Sequence, residues 1–84
     1  MDAYYITFQS MTQAQTAMAV LQRQGIMAEY LRAPRLISSA GCGYALELKP
    51  SDIYGAMFIL RNREIFPGKV FRITRSGDVR EVFL

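Results

Sequence analysis

The sequence predicts an α+β domain in which two helices cover one face of an antiparallel sheet. Three observations support this fold class: two stretches with apolar residues at helical spacing, several short segments rich in alternating or β-branched residues, and turn residues between them. The three prolines, Pro34, Pro50 and Pro67, stand alone and do not form a linker. We therefore expect one domain over residues 1–84, with 51% hydrophobic residues available for its core.

The first strand and the first helix are predicted from side-chain periodicity and end signals. Tyr4 to Phe8 are mostly aromatic or β-branched and alternate at period two, which is typical of a half-buried strand. Ser10 and Gln13 have the spacing of a helix capping box, and Gly25 suits the left-handed residue after a last turn. A helix is therefore predicted from about Met11 to Gln24.

Two further strands and a second helix are predicted in the middle of the chain. Met27 to Arg32 has the length and aromatic content of a strand, which Pro34 ends. Tyr44 to Lys49 alternates apolar and polar residues, as a half-buried strand does. A helix then begins with Ser51 or Asp52 as its cap. Its predicted buried face consists of Ile53, Ala56, Met57 and Leu60.

The last part of the chain predicts a β-hairpin. Val70 to Arg75 has the pattern of a strand, Ser76 to Asp78 that of a short loop, and Val79 to Leu84 that of a final strand. The complete order is strand, helix, strand, strand, helix, strand, with one strand added. Because this is the split β-α-β order, we predict a ferredoxin-like sandwich with an extra C-terminal strand.

Cys42 is the only thiol of the chain, and we centre any chemistry on it. It lies between Gly41 and Gly43, in the predicted loop between the second and third strands. In a ferredoxin-like fold this loop lies at the same end as the start of the first helix and the end of the second, which carries Arg61 and Arg63. Helix N–H groups and guanidinium groups favour a thiolate, so we predict a lowered pKa for Cys42.

The neighbours of Cys42 are predicted to serve binding. Arg32 and Arg35 lead into the loop and could hold an anion, while Ser38 and Ser39 add small hydrogen-bond donors. The flanking glycines leave the backbone open to a partner. A lone cysteine in a small domain is more often an inert, small hydrophobic residue, so that alternative stays open.

The composition excludes several classes of function. Histidine is absent, which rules out a histidine general base, a cysteine–histidine pair and an imidazole ligand for a metal. One cysteine forms no internal disulfide, which suits a reducing compartment. We expect neither a metal site nor a cofactor.

The charge and hydropathy of the sequence indicate which partners and which cellular location to expect. The net charge of +3 is mild, and the sequence lacks the consensus of an aromatic RNA-binding sheet, so we expect no nucleic-acid partner. The apolar runs Ala17–Leu21 and Tyr54–Leu60 are far shorter than the roughly 20 residues that span a bilayer. A secretory signal carries basic residues at its start, whereas this chain has an acid, Asp2. We therefore expect a cytoplasmic protein without a membrane partner.

An exposed strand edge could dock a second copy, so a homodimer is a further expectation.

The run from Ala33 to Leu46 resembles the central motif of a small bacterial family of selenium or sulfur carrier-like proteins. In that motif a Pro-Arg pair, here Pro34-Arg35, leads to Ser38-Ser39, then to Cys42-Gly43 and an apolar strand. The opening strand from Tyr4 to Phe8 is similar to the family as well. The resemblance implies that Cys42 holds sulfur or selenium as a persulfide or selenosulfide. It also implies a sulfur- or selenium-transfer partner, such as a small sulfur-transfer protein with a Cys-Pro motif.

Two functions from different classes follow. The leading one is a carrier rather than an enzyme, in which Cys42 receives sulfur or selenium while Arg35 and Arg32 steer anionic species. The rival is a non-catalytic ferredoxin-like module for protein interaction or regulation. In that case Cys42 is inert, and a sheet edge or the strand Val79–Leu84 contacts a partner or a second copy.

Overall fold

A computed structural model describes residues 2–34, 37 and 43–84 of the chain. The first half contains β1 (Ala3–Phe8), α1 (Met11–Arg23) and β2 (Glu29–Arg32). The second half contains β3 (Tyr44–Leu48), α2 (Ile53–Asn62), β4 (Val70–Ile73) and β5 (Val79–Val82). The predicted order of strands and helices is confirmed.

The five strands form one antiparallel sheet in the order β2-β3-β1-β4-β5. β1 lies in the centre, where Tyr5 is the register partner of both Glu47 in β3 and Phe71 in β4. The first four strands have the arrangement of a ferredoxin-like fold, and β5 extends the sheet beyond β4. The predicted α+β class and the extra C-terminal strand are therefore confirmed.

The main core lies between the sheet and the two helices. The side chains that alternate toward the helices along β1, Ile6 and Phe8, are completely buried. The predicted inner face of α2 is confirmed, because Ile53, Ala56, Met57 and Leu60 are all buried. Each large side chain removed from water in this way stabilises the fold by roughly 1.5–3 kcal/mol. The helices are thus held on one face of the sheet by apolar burial.

The second face of the sheet carries a smaller apolar cluster. Ile37, Ala45 and Phe71 are its buried members, and Tyr5 packs against them. Ile37 comes from the connection between β2 and β3, and its N–H donates to the carbonyl oxygen of Pro34 at 2.9 Å. Its side chain, only 1% exposed, therefore covers the face of the sheet that the helices leave open.

The ends of α1 follow the prediction in part. The Ser10 hydroxyl oxygen accepts a hydrogen bond from the Gln13 N–H at 3.1 Å, as a capping box requires. In a capping box the Gln13 side chain would also bond back to the backbone N–H of Ser10. Here it donates instead to the carbonyl oxygen of Phe66 at 3.4 Å, which is a tertiary contact. Gly25 ends the helix with the predicted left-handed backbone, at φ +81°.

Other element ends differ from the prediction. Asp52 is the N-cap of α2, but its helical backbone conformation leaves its side chain without a capping hydrogen bond. β2 begins two residues later than predicted, at Glu29. β4 ends at Ile73 because the N–H of Thr74 already donates to the carbonyl oxygen of Asp78 at 2.9 Å, which closes the hairpin turn.

In residues 2–34, 37 and 43–84, neither helix has the length and apolar character needed to cross a membrane.

Candidate functional site

The loop that contains the only cysteine leaves the sheet between β2 and β3. Arg32 and Tyr44, the last residue of β2 and the first of β3, are register partners. Beyond them the N–H of Ala33 donates to the carbonyl oxygen of Gly43 at 3.1 Å. This hydrogen bond continues the strand pairing past both strands, so the base of the loop is held by the sheet.

The base of this loop shares an end of the sheet with the start of α1. Phe8, the last residue of β1, is paired with Tyr44, and the helix cap Ser10 follows two residues later. The segment before β4 reaches the same end, because the N–H of Gly68 donates to the carbonyl oxygen of Thr7 at 2.8 Å. The loop base and the N-terminus of α1 therefore lie at one end of the sheet.

Most of the predicted site residues lie outside the described residues. These are Cys42, Arg35, Ser38, Ser39 and Gly41. Their roles, including the lowered pKa of Cys42, stay predictions. The two predicted site residues that the structure describes are Arg32 and Gly43.

Arg32 is exposed and ends an edge strand of the sheet. Neither of the two ion pairs found among the described residues involves its guanidinium group. A planar guanidinium group with five N–H donors can bind an anion through two hydrogen bonds at once. Among the described residues, the guanidinium group of Arg32 is thus exposed and has no acidic partner.

Gly43 is exposed, and the fold does not require a glycine there. Gly25 and Gly77 have φ values of +81° and +93°, which side chains rarely adopt, but Gly43 has no positive φ. A Cβ atom built at Gly43 would meet no described atom within 4 Å. Neither backbone strain nor packing against the described residues explains this glycine. Among the described residues, nothing fills the space that a side chain at position 43 would take.

Arg61 lies on a different side of the molecule from Arg32. It lines a groove with Phe83 and Leu84 next to β5, whereas Arg32 ends β2 at the opposite edge of the sheet. Four strand spacings of about 4.8 Å separate these edges, which is roughly 19 Å. The sequence predicted the correct end of the sheet for the helix terminus, but not its lateral position.

Sequence reasoning did not single out Ile37, which ties the cysteine-containing segment to the sheet. The available signal was a large aliphatic pair, Leu36-Ile37, among small and polar residues. Ile37 packs in the outer cluster near Tyr5. Burial raises the pKa of the Tyr5 hydroxyl, and the charge and hydrogen bond of Glu47 raise it further. Tyr5 is thus held in its neutral phenol form beside Ile37.

Within the part of the chain that the structure describes, no group of three or more cysteine, aspartate or glutamate side chains is arranged to hold a metal ion.

The fold defines a small α+β protein of ferredoxin-like topology, and its single cysteine lies in the sequence between β2 and β3. The chain belongs to the family described as "Putative Se/S carrier protein-like", whose profile matches residues 3–72. The match includes the entire connection between β2 and β3 and ends before β5. The family resemblance seen in the sequence is thereby confirmed. No curated protein and no solved structure matches the chain.

Proposed function

We propose that this protein carries sulfur or selenium on Cys42. The observation that supports the proposal is the family match over residues 3–72, which includes the loop with the only thiol of the chain. A carrier needs one thiolate, and it needs no metal, no histidine and no second cysteine. The composition of this chain meets that minimal requirement.

The transfer step is a thiol exchange without net oxidation. The Cys42 thiolate attacks the terminal sulfur of a donor persulfide, R–S–SH. A new S–S bond forms on Cys42 while the S–S bond of the donor breaks, and the donor leaves as the thiolate R–S⁻. The products are the Cys42 persulfide and a reduced donor, and the terminal proton stays on the transferred sulfur. A selenium atom follows the same course from a donor R–S–SeH.

Two described residues support access to Cys42. No described atom fills the space beside Gly43, which would let the backbone of a donor protein approach the loop base. Arg32, exposed at the edge of the sheet, would attract the negative charge of a persulfide or perselenide anion. We assign Arg35 the same steering role, and Ser38, Ser39 and Gly41 the contacts around the transferred atom.

The partner implied by this step is a protein that donates or accepts the sulfur or selenium atom. A small sulfur-transfer protein with a Cys-Pro motif has the required chemistry, since its own cysteine carries a persulfide. A reducing cytoplasm would keep the thiol of Cys42 available between transfers.

The proposal is tested by the mass of the intact protein after incubation with a cysteine desulfurase and cysteine. We expect the wild-type chain to gain one sulfur atom, which a thiol reductant then removes. The Cys42→Ser variant should gain none. A wild-type chain that gains no sulfur in the presence of a fully active desulfurase would contradict the proposal.

A matched control separates a carrier site from ordinary thiol reactivity. The double variant Cys42→Ser/Ser51→Cys keeps one thiol but moves it to an exposed position before α2. We expect wild-type Cys42 to accept sulfur at least tenfold faster than the displaced thiol, because reactivity follows the local environment of the thiol. Equal rates would mean that residues 32–43 contribute nothing to the transfer.

The rival function, a protein-interaction module with an inert Cys42, is favoured by a separate observation. Several large aromatic side chains of α2 and the C-terminal part are exposed to solvent, among them Phe58 and Phe83. Such surfaces mark contacts with other proteins. An unreactive Cys42 in the mass experiment, together with partner binding at these aromatics, would favour the rival.

A further inference from the structure

A groove of about 290 Å³ lies between the end of α2 and β5. Met57 and Arg61 line it from the helix, and Val82 and Phe83 line it from the strand. Phe66, in the segment between α2 and β4, also lines the groove. Phe66 and Phe83 are 65% and 86% exposed, so much of this apolar lining is in contact with water.

Tyr54 and Phe58 extend the apolar surface along α2. They lie one turn apart, on the flank of the helix that carries Met57 and Arg61. Their exposures are 68% and 66%. With roughly 200 Å² per aromatic side chain, the exposed part of these two residues and of Phe66 and Phe83 is about 570 Å². A stable interface takes about 800 Å² from each partner, so this surface approaches the required area.

β5 is an edge strand with one side unpaired, because only β4 pairs with it. The N–H of Thr74 donates to the carbonyl oxygen of Asp78, and the orientation of backbone groups alternates along an antiparallel strand. The N–H and C=O groups of Val79, Glu81 and Phe83 therefore point away from β4. Residues 79–84 contain neither proline nor lysine, which often protect such edges.

The charges of β5 narrow the ways in which two copies can pair. In an antiparallel pair related by a twofold axis, the residue at the axis faces its own copy. An axis at Arg80 or Glu81 would bring like charges face to face. An axis at Val79 would place the hairpin turn against the second strand. An axis at Val82 brings two valines together and places Glu81 opposite Phe83 of the second copy, without a like-charge pair.

We propose that the β5 edge and its groove form a homodimer interface whose occupant is β5 of a second copy, paired about Val82. The two sheets then join into one sheet of ten strands. The helices of both copies lie on the same face, because the twofold axis is perpendicular to the sheet. β5 lies beyond the residues 3–72 that the family profile matches, and the dimer does not depend on the carrier function.

The test is sedimentation equilibrium of the full chain from about 1 to about 200 μM, a range in which a concentration-dependent dimer is detected. The wild-type protein should populate a dimer. Phe83→Glu places a carboxylate opposite Glu81 of the second copy and should raise the dimer dissociation constant at least tenfold. Phe83→Lys loses the same apolar ring but places an ammonium group there, so it should weaken the dimer much less than Phe83→Glu. Because Phe83 is 86% exposed, both variants should fold, as circular dichroism will show.

Two controls make the outcome decisive. Met27→Glu introduces the same charge at another exposed apolar residue, 74% exposed and close to the β2 edge, and should not change dimerisation. Phe83→Pro removes an outward N–H group and should weaken the dimer. A wild-type chain that is monomeric throughout, or a dimer that Phe83→Glu and Phe83→Pro leave intact, overturns the proposal. Equal weakening by Phe83→Lys and Phe83→Glu overturns the pairing about Val82.

Discussion

The two edges of the sheet differ in how far the chain itself covers them. At the β2 edge, Tyr30 stacks on Tyr44 with ring centroids 6.2 Å apart, and both rings pack against the main core. Glu29 and Arg32 place a charge at each end of that strand. At the β5 edge, by contrast, Phe83 is exposed beside an open groove. Both outer strands have one unpaired side, but the aromatic rings of the β2 edge are packed on the core, whereas Phe83 at the β5 edge is exposed.

The comparison predicts that truncating side chains that the chain itself covers costs stability, and the largest effect is expected at Ile37 on the outer face of the sheet. Ile37→Ala removes a side chain that is 1% exposed, so it should lower the free energy of unfolding by about 3 kcal/mol. Urea unfolding followed by circular dichroism measures this change. Ile37→Val, a milder truncation that should cost about 1 kcal/mol, keeps the test informative if the alanine variant does not fold.

An Ile37→Ala variant with wild-type stability would show that the outer cluster contributes nothing to the fold. The matched control is Met27→Ala, which truncates an exposed side chain close to the β2 edge. It should change the free energy of unfolding by less than about 0.5 kcal/mol.

A smaller effect is expected for the aromatic stack of the β2 edge. Tyr30→Ala removes a half-buried ring and its contact with Tyr44, which should cost about 2 kcal/mol. Phe83→Ala is the matched truncation at the β5 edge and should cost less than about 0.5 kcal/mol under conditions where the chain is monomeric. Equal losses in urea unfolding would remove the difference between the two edges.

The smallest effect concerns charge at the β5 side and depends on pH. Arg72 in β4 faces Arg80 in β5, and the Arg72 guanidinium group donates two hydrogen bonds to Asp2 Oδ2, at 3.0 and 2.6 Å. These hydrogen bonds, with the charge of Arg72, lower the pKa of Asp2 below its ordinary value of 3.8. A lowered pKa stabilises the fold above pH 3.8, and this contribution disappears as the pH falls through the pKa of the folded state.

Asp2→Asn should therefore be less stable than the wild type at neutral pH and equally stable in strong acid. Hydrogen exchange of the β5 amides and urea unfolding at several pH values measure the difference. A gap between wild type and variant that stays constant into strong acid would contradict the role of the Asp2 carboxylate. The control Asp78→Asn changes a carboxylate on the hairpin that forms no ion pair among the described residues.

Much of the fold was predictable because local patterns decide it. The buried face of α2 follows from helical periodicity, and the left-handed Gly25 and Gly77 were recognisable as a helix end and a hairpin turn. The packing of Ile37 on the outer face was not predictable, because nothing local distinguishes a buried aliphatic loop residue from an exposed one. The side of α2 that meets β5 likewise depends on strand order and not on the sequence of the helix.

The sequence predicted which residues belong to the candidate site better than it predicted where they lie relative to one another. Cys42 stands out because it is the only thiol and because its surroundings resemble a family motif. Arg32 was predicted as a neighbour, and the structure places it at the loop base, exposed. Arg61 was expected nearby from chain topology, but its lateral position on the β5 side depends on long-range packing.

The central position of β1 also has a consequence for the order in which the protein is made. β1 is synthesised first, yet its two partners, β3 and β4, come much later in the chain. Thr7 bonds to Lys69 across 62 residues, so β1 cannot be paired on both sides until the residues of β4 have left the ribosome. Contacts between such distant residues slow folding, because closing the intervening loops costs conformational entropy. A nascent chain therefore cannot complete the sheet around β1 before β4 has emerged.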